Sequence, residues 1–174
     1  PNDDDHGMPS IGRFNNRVFV IWGAHGGAGG TSGFSTAVSD TTEEPSGTNP
    51  DVWNWDNQQT LTGVPNGTYP NVASDNNATA WVFYRPSDTH TGSYPGHEFG
   101  TIIKSTDTGS TWTDLGPVID LTGHPDPTQD CYATDLWYDD GAGELHLLFQ
   151  VVTGDSHDGT NRGVYHVKRD TATG

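Results

Sequence analysis

The eight residues Ser105-Thr106-Asp107-Thr108-Gly109-Ser110-Thr111-Trp112 constrain this chain more than any other stretch. Each chemically distinctive position suits one tight turn between two strands. Gly109 can take the positive φ that such a hairpin needs. The Asp107 carboxylate can accept hydrogen bonds from turn amides a few residues on. Trp112 can fold beneath the turn and bury a large apolar area. Ser105, Asp107, Gly109 and Trp112 are therefore read as structural, with no catalytic role for Asp107.

Three apolar runs extend the argument beyond the turn. They are Val18-Phe19-Val20-Ile21-Trp22, Ala80-Trp81-Val82-Phe83-Tyr84 and Leu145-His146-Leu147-Leu148-Phe149. Each follows a turn-like segment: Asn15-Asn16, Asp75-Asn76-Asn77 or Asp139-Asp140-Gly141. Each turn is preceded by a further short strand candidate, near Ser10-Ile11, over 69–73 and over 132–138. This is one hairpin repeated three times, about 60 residues apart. Continuous apolar runs suit strands covered on both faces. The middle unit predicts strands near 69–74, 80–85, 99–104 and 112–119, with the octapeptide linking the last two.

Composition agrees with a sheet protein. Hydrophobic residues make up only 30% of the 174, yet six Trp, six Tyr and six Phe supply anchors for a core. No segment repeats apolar residues at helical period. The stretch from about 24 to 50 is rich in Gly, Ser and Thr and reads as a flexible loop. Its Gly26-Gly27-Ala28-Gly29-Gly30 lacks the spacing, the Lys and the following helix of a nucleotide-binding loop.

The net charge of −16, from 23 acidic and 7 basic residues, excludes nucleic acid and anionic membranes as partners. The only lysines are Lys104 and Lys168, a balance that suggests a salt-loving source. At molar salt the Debye length is about 3 Å, which screens the self-repulsion. Cys131 is the single cysteine, so no internal disulfide forms, and it reads as a small buried residue. No run is long enough to span a membrane, and no signal peptide is present. The chain begins at Pro1, so a leader removed or omitted upstream is expected, and an extracellular or secreted location is a separate expectation that the chain start does not decide.

Candidate chemistry gathers where strands begin and end. Asp3-Asp4-Asp5-His6-Gly7-Met8-Pro9 precedes the first strand, and Gly23-Ala24-His25-Gly26 closes the second. Thr68-Tyr69-Pro70-Asn71 opens the next unit, and Phe83-Tyr84-Arg85 ends that unit's second strand. In an antiparallel hairpin these are the same end of the sheet. His6, His25, Tyr69 and Arg85 are thus expected to converge on one cleft.

The octapeptide resembles the Asp-box of sialidase-like β-propellers. The D-D-H-x-x-P, G-A-H-G, Y-P-N and F-Y-R segments resemble, in order and spacing, those of the propeller family that includes ulvan lyases. The resemblance covers most of the chain. It implies an all-β fold, a β-propeller of four-stranded antiparallel blades, in one domain over 1–174. The blades fall roughly at 1–60, 61–122 and 123–174. Closed propellers typically have four to eight blades, so about three imply a partial propeller: an N-terminal fragment whose remaining blades are missing, or an open partial one.

The resemblance further implies a polysaccharide lyase that cleaves a uronic-acid-containing, ulvan-like sulfated polymer by β-elimination. His6 and Tyr69 would be the proton-transfer pair, with base and acid not distinguished. Arg85 and His25 would neutralise the uronate carboxylate, which suits guanidinium geometry. An imidazole titrates near working pH, as a general base should. Tyr132, Arg162 and Tyr165 are candidate substrate contacts by position alone.

Two other functions stay open, a sialidase-like glycoside hydrolase and a non-catalytic carbohydrate-binding propeller. No cofactor is required. A structural Ca or Zn ion is a further expectation, with His146, His157 and His166 near one another in the third unit. His124, Asp126, Asp130 and Cys131 fit no metal-ligand spacing and read as a solvated loop. Asp3 to Asp5 lack the EF-hand pattern.

Overall fold

The computed structural model describes residues 8–14, 17–23, 34–42, 55–61, 67–75, 77–86, 98–124, 129–152 and 162–172. Among the described residues, eleven strands form three antiparallel sheets and no helix occurs. The first sheet holds β1 (Ser10–Phe14), β2 (Arg17–Trp22), β3 (Ser35–Thr42) and β4 (Trp55–Thr60) in sequential order. The second holds β5 (Gly67–Ser74), β6 (Ala80–Pro86), β7 (Phe99–Ser105) and β8 (Thr113–Asp120). The third holds β9 (Asp130–Asp139), β10 (Glu144–Val152) and β11 (Arg162–Asp170). These are blades of a partial β-propeller, with β1, β5 and β9 packed side by side as inner strands.

Side-chain alternation builds two apolar layers between the sheets. β6 supplies both. Ala80, Val82 and Tyr84 turn toward the first blade and join Phe14, Phe19, Ile21, Phe34 and Val38. Trp81 and Phe83 turn toward the third and join Cys131, Ala133, Leu136, Leu145 and Leu147. That is why the sequence 80–86 shows no polar alternation: every residue of β6 is buried.

The turn signals hold at atomic detail. The Asp75 carboxylate accepts the amides of Asn77 at 2.8 Å and Thr79 at 3.0 Å. In the third hairpin the Gly143 amide donates to the Asp139 carbonyl at 2.7 Å, with Gly143 at φ +69°.

The loop reading of 24–50 is corrected at β3. Ser35–Thr42 is a full strand between β2 and β4, and Thr36, Ala37, Val38 and Ser39 are buried. Small hydroxyl residues disguise it. Thr is β-branched and tolerates a crowded pleat, and Ser39 Oγ accepts the Val18 amide at 2.9 Å. The polar atoms are satisfied inside, so polarity did not mean exposure.

The Asp-box sits between β7 and β8 as expected. Asp107 accepts the Thr111 amide at 2.9 Å and the Thr111 hydroxyl at 2.6 Å, while Ser105 Oγ donates to it at 2.8 Å. Desolvation pulls its carboxyl upward, but these bonds outweigh it and hold the group below the usual carboxylate range. Thr108 at φ +57° and Gly109 at φ +82° reverse the chain. The Gly109 carbonyl accepts Trp112 Nε1 at 3.1 Å and Gln59 Nε2 at 2.7 Å. Trp112 rests on Phe19, with centroids 5.4 Å apart. The turn of blade two is thus a clasp on blade one.

Candidate functional site

The inner strands begin, and the second strands end, at the same edge of each sheet. Ser10 pairs with Ile21, Gly67 with Pro86, and Asp130 with Val152. Ser10 also meets the next blade, its Oγ accepting the Val72 amide at 3.1 Å. The candidate site lies along this edge, on blades two and three.

Tyr69 is the first anomaly there. Its φ is +55°, and the β5–β6 register slips between Thr68 and Asn71. A bulky non-glycine residue in that region costs about 1–3 kcal/mol and persists only where surroundings enforce it. The enforcing groups are local. Pro70 has no amide to offer the ladder, and Asn71 Nδ2 donates back to the Tyr69 carbonyl at 2.9 Å. The result turns the Tyr69 ring out of the pleat and onto β9.

Arg85 is the second. It is 1% exposed, among the most buried side chains of the molecule. Directly opposite in the ladder, Thr68 Oγ1 accepts its Nε–H at 3.3 Å. The guanidinium carbon lies 5.0 Å from the Tyr69 ring centroid and 4.4 Å from that of Tyr132. The two tyrosine rings are 5.3 Å apart. Each contact is a cation–π interaction of about 1–2 kcal/mol when desolvated. Asp130 faces it across the blades, with Oδ2 3.7 Å from Nη1. That is an ion pair without a hydrogen bond. Both terminal nitrogens, Nη1 and Nη2, are buried and lack a hydrogen-bond partner.

A buried guanidinium with four unused N–H donors is costly unless an acceptor arrives. A carboxylate, sulfate or phosphate oxygen pair matches that fork. The site thus presents a cation held by two aromatic faces, one hydroxyl and the Asp130 ion pair, with no hydrogen bond at Nη1 or Nη2. Beneath it, Cys131 is buried, and burial holds its thiol up to about 12. Arg85 opposes that rise and Asp130 adds to it.

Of the four residues expected to converge, the structure brings Tyr69 and Arg85 together, and Tyr132, a candidate substrate contact, joins them. His6 and His25 lie outside the described residues, as does the side chain of Arg162. Tyr165 stands apart on β11, its ring stacked on Phe149 at 5.4 Å and half exposed. Sequence reasoning missed Thr68 and Asp130 as partners of Arg85. Thr68 was visible beside Tyr69, and the register of β5 on β6 would have paired it with Arg85. Asp130 needs the third blade in place and carries no local signal. Among the described residues no group of three or more His, Cys, Asp or Glu is placed to hold a metal ion.

No protein-family model matches the chain, and no curated protein matches it. Among solved structures it is similar to the Hadza microbial sialidase Hz136, at 17% identity and a TM-score of 0.50. That match covers 92% of this chain and 38% of the sialidase chain. It is also similar to an α-L-arabinanase from Penicillium chrysogenum complexed with arabinobiose, at 16% identity and a TM-score of 0.48, covering 99% of this chain and 53% of that one. The chain thus spans about two-fifths to half of these proteins' lengths. At 17% identity the likeness to the sialidase is one of fold, and the fold is a β-propeller.

Proposed function

We propose that this chain carries part of the active cleft of a polysaccharide lyase that cleaves a uronate-containing, ulvan-like sulfated polymer by β-elimination. The observation that carries the reading is the buried Arg85 fork with free donors, held between Tyr69 and Tyr132 at the inner-strand edge. Arg85 takes the uronate carboxylate, with His25 as a second donor. Neutralising that charge stabilises the enolate-like species formed when the C5 proton leaves. One of His6 and Tyr69 removes this proton. The electron pair forms the C4–C5 double bond, the C4–O bond breaks, and the other residue protonates the leaving oxygen. The strained backbone at Tyr69 fits a phenol held in a fixed pose rather than one packed for stability alone.

The sialidase-like hydrolase reading finds less support. It needs several arginines around one carboxylate. Of the four other arginines, Arg13 and Arg17 flank the blade-one hairpin turn and Arg169 pairs with Leu145 near the blade-three turn, at the opposite edge from Arg85; Arg162 alone pairs at the same edge, opposite Val152. Non-catalytic carbohydrate binding is a second reading, favoured by the 1% exposure of Arg85. An extracellular setting at high salt belongs to the proposal, since the −16 charge needs screening there.

The test is incubation with ulvan and other uronate polymers at high salt, following the ultraviolet absorbance of an unsaturated uronide. A rise that vanishes in His6→Ala and Tyr69→Phe supports the lyase. Binding without product supports the carbohydrate-binding reading. Release of reducing ends without the chromophore would mean hydrolysis and overturn both.

A further inference from the structure

The third blade carries a second polar constellation, at the hairpin end away from Arg85. On one face of the sheet, His146 of β10 pairs with Trp137 of β9 and with Lys168 of β11. His166 pairs with Leu148, two residues along, and so is the diagonal neighbour of His146. His146 Nδ1 and His166 Nε2 are 3.0 Å apart. The imidazole centroids are 5.2 Å apart with planes 13° from parallel, so the two rings lie nearly edge to edge. Trp137 covers both. Its plane is 14° from that of His146 and 3° from that of His166, at 4.6 and 5.6 Å.

We propose that His146 and His166 form a two-histidine clasp for a divalent transition metal, with Trp137 as its cover and Glu144 as the orienting carboxylate. Metal–imidazole bonds of about 2.0–2.1 Å place two nitrogens about 2.9–3.4 Å apart across right-angled to tetrahedral geometry. The observed 3.0 Å already lies in that span. The nitrogens now point at each other, so seating a metal in place of the hydrogen-bond proton takes a tilt of the rings rather than a movement of the strands.

The far side of His146 supports this use. Its Nε2 is buried without a hydrogen-bond partner, and Glu144 Oε2 is 3.8 Å away. Lys168 Nζ holds that same oxygen at 2.6 Å. A carboxylate behind the non-ligating nitrogen is the usual orienting arrangement for metal-bound histidine. Glu144 faces the wrong nitrogen to be a third ligand itself, which agrees with the absence of a three-residue ligand group among the described residues. Water completes the sphere, making an open site. Imidazole nitrogens favour Cu²⁺, Ni²⁺ or Zn²⁺ over the oxygen-seeking Ca²⁺ and Mg²⁺. The proposal is independent of the lyase reading.

The experiment is Cu²⁺ titration of the intact chain, read by tryptophan quenching and by nitrogen hyperfine structure in electron paramagnetic resonance. Two equivalent nitrogen ligands are expected. His166→Gln, an exposed position that tolerates the change, and His146→Gln should each abolish the two-nitrogen spectrum. His124→Gln should leave it intact. Glu144→Gln should weaken binding roughly 10-fold while keeping both nitrogens. Trp137→Phe should remove most of the quenching but not the binding. An oxygen-only spectrum, a spectrum unchanged in His166→Gln, or no Cu²⁺ bound would each overturn the proposal.

Discussion

The Asp-box turn and the Arg85 site are both polar, both partly buried and both carry positive-φ residues, yet they treat polar atoms in opposite ways. At Asp107 both carboxylate oxygens are engaged by hydrogen bonds from the turn, and Ser105 Oγ serves as donor and acceptor. At Arg85 the cation is fixed by rings, one hydroxyl and the Asp130 ion pair, while Nη1 and Nη2 make no hydrogen bond. A closed network rigidifies a fold. An open one costs stability and is retained for what it receives. The difference teaches where to look for chemistry: not at the most recognisable motif but at the least satisfied cation.

The sharpest way to break this contrast is Arg85→Met. Loss of the carboxylate fork should lower turnover of a uronate polymer about 10²–10³-fold, as for removal of one charge-stabilising donor. Stability should fall by no more than about 2 kcal/mol: the two cation–π contacts and the Asp130 ion pair are lost, offset by removal of a buried cation whose terminal nitrogens lack hydrogen bonds, and Asp130 keeps access to water. Denaturant melts beside product assays decide it. A loss of several kcal/mol would make Arg85 structural and erase the distinction.

The Asp-box should behave in reverse, changing stability and leaving chemistry alone. Trp112→Ala removes a half-buried indole from Phe19 and should cost about 2–3 kcal/mol, below the range for fully buried aromatics. Gly109→Ala should cost about 1–2 kcal/mol, since φ is +82° and the new methyl would sit 3.3 Å from Phe14. Thermal melts of the two variants, with unchanged product formation per folded molecule, are the check. A selective loss of activity would place the turn in the cleft.

A smaller effect sharpens the same point through pH. The Asp107 carboxyl is held below its usual range, so its contribution is fully present above the unfolded value, roughly pH 4. It is lost as pH falls through the lower folded value. Asp107→Asn should therefore cost about 1 kcal/mol near neutrality and converge with the parent in acid. Melting temperatures of both proteins from pH 7 down to 2 would show the gap closing. A constant gap would mean that the charge of Asp107 is irrelevant to the turn.

Much of the fold was legible because its signals are local. The Asp-box residues, the three apolar runs and the Asp75 and Asp139 turns each encode their structure within a few positions. β3 was not legible, because Thr36 and Ser39 are buried polar residues whose satisfaction depends on neighbours such as Val18. The site was half legible. Tyr69 and Arg85 stand out by position at strand ends, and the positive φ of Tyr69 has local enforcers in Pro70 and Asn71 that no strand rule flags, but the approach of Tyr132 and Asp130 exists only once blade three packs on blade two. Residues that answer each other across blades leave no spacing rule in the chain.

The same inter-blade layer supplies the smallest and most local prediction. Cys131 lies between Asp130 and Tyr132, with its side chain on the core side of β9. Burial first, and Asp130 second, push its thiol up to about 12 against the pull of Arg85. At neutral pH almost no thiolate exists, and the nucleophile in alkylation is the thiolate. Native Cys131 should therefore resist a thiol reagent and react only at the rate of local opening. Because β9 carries Cys131 on its core side and Tyr132 against Arg85, that rate measures how firmly the Arg85 site is held. Arg85→Met should leave it unchanged if the rings alone keep the layer shut. A large increase would mean that the unanswered cation, for all its cost, is what binds blade two to blade three.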